Sequence, residues 1–257
     1  MDKLPARTGW FWVKEGFALF RKQPGALLTL FLGYALFMLT MGTVPILGQV
    51  LTSVLVPVFS VAFMQACLRI ERKQSVLPTL LLTGFRQPVV KPLLQLGTVY
   101  FLMVVLAIGA SALVDGGTFW QVVTGQINPK SADLKGMEMD LAMLLAAGLY
   151  MLFSLALCFS APLILWKKMP AGKAIFFSVW SVLRLAKAFL IFVLAWFAIS
   201  TVISQVIGIV FGRSQALVMV MIPLLMVMWV VVHCSFYASY RQVFGLPEAE
   251  PGTPAKA

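Results

Sequence analysis

The sequence predicts an all-α polytopic membrane protein with six transmembrane helices, and three observations carry that prediction. Hydrophobic residues make up 61% of the 257 and charged residues only 11%, where a soluble domain carries about 45–50% and about 25%. Six apolar stretches reach the roughly 20 residues needed to cross a hydrocarbon core. None of the six contains Asp, Glu, Lys or Arg. With so few charges to coat a water-facing surface, most of the chain has lipid as its solvent. That excludes a soluble enzyme, a disordered regulator and a secreted disulfide scaffold. The three cysteines, Cys67, Cys158 and Cys234, are odd in number and sit in apolar runs, so no disulfide framework is implied.

The stretches run approximately over 25–44, 46–68, 93–114, 141–166, 188–211 and 215–237. Only Pro45 parts the first two, which predicts a tight hairpin with an uncharged tip from Thr43 to Gly48. The segment before the first span is not expected to be a cleaved signal, because Trp10-Phe11-Trp12 precedes the basic pair Arg21-Lys22. The first span is therefore expected to remain as an anchor. One membrane domain is expected over 1–244, and a disordered cytoplasmic tail rich in Pro, Ala and Glu over 245–257. All of the 20 Lys and Arg except Lys130, Lys135 and Arg213 fall on one side of these spans. That bias predicts a cytoplasmic location for both termini. It also explains the net charge of +11 without nucleic acid; the expected partner is a bilayer with anionic headgroups.

A repeat underlies the spans. The segment from Trp10 to Pro24 ends Leu19-Phe20-Arg21, that from Ser75 to Pro88 ends Gly84-Phe85-Arg86, and that from Pro170 to Lys187 contains Val182-Leu183-Arg184. Trp10, Val13, Phe17 and Phe20 share one helical face, with Lys14, Arg21 and Lys22 opposite. Leu77, Leu81 and Phe85 align at i, i+4, i+8, and Phe176, Trp180 and Leu183 at i, i+4, i+7. Such helices lie in the headgroup plane, so Trp10, Phe17, Phe20, Arg21, Arg86, Trp180 and Arg184 are expected at the membrane interface. The unit is interfacial helix, span, span, three times over, at approximately 5–68, 75–166 and 169–240. Pro57, Pro162 and Pro223 fall one in each even span, where a kink is expected.

The run Pro5-Ala6-Arg7-Thr8-Gly9-Trp10 through Glu15-Gly16-Phe17 to Leu19-Phe20-Arg21 and Pro24 resembles the opening of an uncharacterised proteobacterial family of six-span inner-membrane proteins. Pro45 to Gly48, Pro57-Val58-Phe59 and Val114-Asp115-Gly116-Gly117 look like the same family's later landmarks. The layout is more loosely similar to the membrane domain fused to some glycerophosphodiesterases, whose catalytic domain is not expected here. The resemblance implies a bacterial inner membrane and carries no activity with it.

Chemistry is sparse. All nine acids are expected in loops or tails, so a coupled transporter lacks its usual intramembrane carboxylate. His233 on the last span is the one intramembrane group with a pKa suited to a relay, set against a neutral His hydrogen-bonded across helices. Adjacent Cys234 does not complete a metal site. Gln49, Gln65, Gln95 and Gln205 are the other intramembrane polar groups, each explained by a bond between helices. Ser200, Ser204, Gly208 and Gly212 recur every fourth residue and predict a close helix-packing face, at an oligomer interface or with a membrane-protein partner. The loop 115–140 reads as a solvated cap, and Gly116-Gly117 as a turn. No enzyme signature is present, so no catalytic residue, metal or cofactor is expected. The expected function is a non-enzymatic scaffold or interaction protein bearing on membrane or envelope organisation. The alternative is a transporter or channel for a small solute or lipid.

Overall fold

The computed structural model describes residues 4–44, 47–127, 137–212 and 214–247. They form α1 (Thr8–Lys22), α2 (Pro24–Gly42), α3 (Leu47–Glu71), a 3₁₀ helix (Pro78–Phe85), α4 (Val90–Asp115) and α5 (Thr118–Val123). There follow α6 (Met137–Ala156), α7 (Ser160–Lys167), α8 (Ala171–Arg184), α9 (Ala186–Phe211) and α10 (Gln215–Phe244). Six segments are long and apolar enough to cross a membrane: α2, α3, α4, α6 continuing into α7, α9 and α10. The fold is an all-α polytopic membrane fold. Pro45, Asn128, Lys130, Asp133, Lys135, Arg213 and the tail from 248 onward lie outside the described residues.

Local chemistry sets the element boundaries. Pro24 occupies the first turn of α2, where a missing N–H costs nothing. Just before it, Gln23 donates from Nε2 to the Gln74 carbonyl at 2.8 Å and accepts the Val76 N–H at 3.2 Å. Those two bonds pin the start of α2 to the segment that follows α3. At the far end of α4, Gly116 and Gly117 take φ of 62° and 94°, which only glycine adopts cheaply. The Asp115 carboxylate then accepts the Gly117 N–H at 3.0 Å and the Phe119 N–H at 2.6 Å. It caps α5, so the glycine pair is a turn.

The bundle is organised around α3, which is buried at almost every position from Val58 to Ile70. One cluster gathers Trp12, Leu93, Phe159, Phe189 and Tyr240. A second gathers Leu27, Leu30, Phe63, Cys67 and Tyr237.

Three expectations are corrected. The span over 141–166 is two helices, with a break at 157–159. Proline at 162 removes the bond to the carbonyl four residues back, at Cys158; breaking there puts Pro162 in the first turn of α7. Ser178 of α8 sutures the gap: its Oγ accepts the Phe159 N–H at 3.1 Å and donates to the Ala156 carbonyl at 2.7 Å. Pro57 and Pro223, by contrast, lie inside uninterrupted helices. The second lead-in segment is a 3₁₀ helix, so spacings of four do not share a face. Leu77 and Phe85 are exposed and the buried residues are Leu80, Thr83 and Gly84. In α1 the inward face is Gly9, Trp12, Val13, Gly16 and Leu19, rather than the face of Trp10, Phe17 and Phe20. Gly9 abuts the backbone of α9 at Ala188 and Phe192, and Gly16 abuts α10 at Val231 and Ser235. Helices approach this closely only where a side chain is missing.

Candidate functional site around His233

His233 lies where α2, α3 and α10 bring their aromatic residues together. Its ring stacks on Trp229 at 3.7 Å and 28°, and Tyr34 stacks on the same tryptophan at 5.1 Å and 20°. Phe63 stands 5.3 Å from the imidazole, and Phe31 lies 4.9 Å from Trp229. His233 Nδ1 is 3.0 Å from the Trp229 carbonyl, one turn back on the same helix. A carbonyl only accepts, so Nδ1 carries the proton in that bond. The bond expected across helices is therefore made within α10, and the ring packed on His233 from α3 is the aromatic Phe63.

The glutamines do not assemble around it. Gln65 is buried and its Oε1 accepts the Trp166 indole N–H at 3.1 Å, joining α3 to α7. Gln49 reaches the Val123 carbonyl at 3.5 Å, at the limit of a useful bond. Gln95 and Gln205 are exposed. Among the described residues, nothing lies within 4 Å of a Cβ added at Gly208 on the small-residue stripe of α9. Ser200 and Ser204 line an open groove of about 250 Å³ between α9 and α10, with Trp196, Met221, Leu225 and Trp229. Gly208 faces open space, and Gly212 ends α9 with φ of 55°.

Among the interface residues, Trp10, Arg21, Arg86, Trp180 and Arg184 are exposed. Phe17 and Phe20 are half-buried instead, and Phe17 stacks on Trp196 at 5.8 Å.

Several residues that the sequence did not mark hold one end of the bundle together. Arg241 of α10 binds Glu15 of α1 at 2.7 Å and Glu71 of α3, and Glu71 also accepts the Tyr237 hydroxyl proton. Trp12 donates from Nε1 to Gln242 at 2.6 Å. Arg72 reaches the Pro247 carbonyl at 2.7 Å. The acids are thus not confined to loops and tails: Glu15 lies within α1 and Glu71 closes α3. Arg241, as the one basic residue near the end of the last span, was the available signal; its partners lie too far along the chain to be guessed. Cys67 and Cys234 also meet, with their sulfurs 3.4 Å apart. Among the described residues no group of three His, Cys, Asp or Glu could hold a metal ion.

A probable inner membrane protein of Burkholderia thailandensis is 37% identical to this chain over 262 residues, covering 98% of the chain and 96% of that protein. No protein-family model matches the chain. No solved structure matches it either.

Proposed function

The chain belongs to the family of that Burkholderia inner-membrane protein, and on this premise we propose that it is a non-enzymatic scaffold or interaction protein bearing on membrane or envelope organisation. The disposition of its polar side chains carries this reading. Polar and ionisable groups that serve a solute path face the bundle interior or a water-filled cavity. Here Gln65 is held by Trp166, His233 is bonded to its own helix, and Gln95 and Gln205 are exposed. The surfaces left available are lateral. The groove between α9 and α10, with Ser204 and Gly208 open, suits a second copy of the chain or a membrane-protein partner whose helix approaches closely. On α8, exposed Phe176, Trp180 and Leu183 lie among Lys173, Arg184 and Lys187, a pattern suited to anionic headgroups. The excess of Lys and Arg on the side of the termini supports a cytoplasmic location for both.

A photo-crosslinking residue at Ser204, activated in native membranes, tests the proposal. A discrete adduct to a second copy or to another membrane protein is the expected result. Adducts to lipid alone, together with solute flux in proteoliposomes, would overturn it.

The break in the fourth span favours a second reading, a transporter or channel for a small solute or lipid, since interrupted helices line substrate paths in many transporters. On that reading His233→Gln changes flux while the protein still accumulates. On the scaffold reading the same substitution leaves function intact.

A further inference from the structure

We propose that Cys67 and Cys234 are a redox site: on oxidation they form an intramolecular disulfide that fastens α3 to α10. The two sulfurs are 3.4 Å apart across the helix contact, and both cysteines are free, against about 2.05 Å for the bond. Bond formation has to bring the two sulfurs closer by little more than an ångström. The residues come from positions 167 apart in sequence, and they join the first repeat unit to the third.

The surroundings decide which reagents can act there. Cys67 and Cys234 are 0% and 1% exposed, within a cluster that includes Leu27, Leu30, Phe63 and Met64. Exchange requires a thiolate to strike a sulfur, and burial in this apolar cluster disfavours the approach of a charged, hydrophilic thiol. The pair is therefore insulated from the soluble thiol pool that keeps most intracellular cysteines reduced. The co-reactant must be soluble in lipid, and a membrane quinone is the class that fits. Both S–H bonds break and one S–S bond forms. Two electrons and two protons pass to the quinone, which leaves as the hydroquinone.

Cys158 is only half-buried and lies beside the other core cluster, so it serves as an internal control. Membranes containing the full chain are treated with a fully substituted benzoquinone bearing a short alkyl tail. They are then quenched in acid, denatured, alkylated with N-ethylmaleimide and digested for mass spectrometry. The expected product is a peptide pair linked through Cys67 and Cys234, two hydrogens lighter than the reduced pair, with Cys158 alkylated. Reduction after denaturation restores three alkylated cysteines. Cys67→Ser and Cys234→Ser should each leave the remaining partner alkylated. Full alkylation of all three wild-type cysteines after quinone would overturn the proposal, as would a link through Cys158. The wild-type result decides the matter even if the variants fail to accumulate.

Discussion

Helices α1 and α8 have the same place in their repeat units and similar amphipathic sequences, yet the bundle uses them in opposite ways. In α1 a tryptophan is swallowed whole: Trp12 is 0% exposed, against Phe189 and Phe192. In α8 the tryptophan is turned out: Trp180 is 54% exposed, beside Phe176 and Leu183. What the two share is a set of small residues within the inward face. Gly9 and Gly16 let α1 reach α9 and α10, and Ala171, Ala174, Ser178 and Ser181 form the buried side of α8. Polarity alone cannot choose the inward face of a membrane helix, because lipid accepts bulky apolar groups as readily as a core does. Small residues placed where two backbones meet can choose it.

The tryptophans give the sharpest test. Trp12→Ala should cost about 3–5 kcal/mol, as expected for a fully buried aromatic, and Trp180→Ala under about 0.5 kcal/mol. Denaturation of the two variants in the same detergent measures both, and equal losses would erase the distinction. The glycines come next. An added Cβ at Gly16 would stand 2.9 Å from the Ser235 nitrogen and the Val231 carbonyl oxygen, whereas at Gly172 it meets nothing within 4 Å. Gly16→Ala should therefore destabilise by about 1–3 kcal/mol. Gly172→Ala should be neutral or stabilise by up to about 1 kcal/mol. Opposite shifts in thermal midpoint are expected, and shifts of one sign would count against the close-approach argument.

Ser178→Ala probes the buried side of α8. It strands the Phe159 N–H and the Ala156 carbonyl, a loss of about 1–3 kcal/mol. Hydrogen exchange should accelerate around 156–160 and stay unchanged in α9; uniform acceleration would mean that the serine is no local suture. The smallest effect concerns lipid contact. In vesicles of brominated anionic lipid, Trp180→Phe should remove more of the quenchable fluorescence than Trp12→Phe. The reverse ranking would place α1, not α8, against the headgroups.

The spans were legible because 20 uncharged apolar residues have few other places to go. Residues 10–12 were misleading for a geometric reason: three aromatics in a row, about 100° apart on a helix, point in most directions at once. Gly9 and Gly16, seven residues apart, held the missing information. Pro162 announced a disturbance, but the break falls upstream of it, where the lost bond would have ended. No local pattern could pair Gln65 with Trp166, or Glu15 and Glu71 with Arg241, since these contacts depend on how distant helices meet.

The contact of Trp12 with Gln242 spans 230 positions, and its consequence lies in the order of synthesis. A ribosome delivers α1 first and α10 last, so the pocket for Trp12 does not exist until the chain is nearly complete. Until then α1 waits with its indole unpartnered and Glu15 without Arg241. The five earlier spans can enter the bilayer as they emerge, but the bundle closes only after translation ends. The first helix made is thus the last to reach its place.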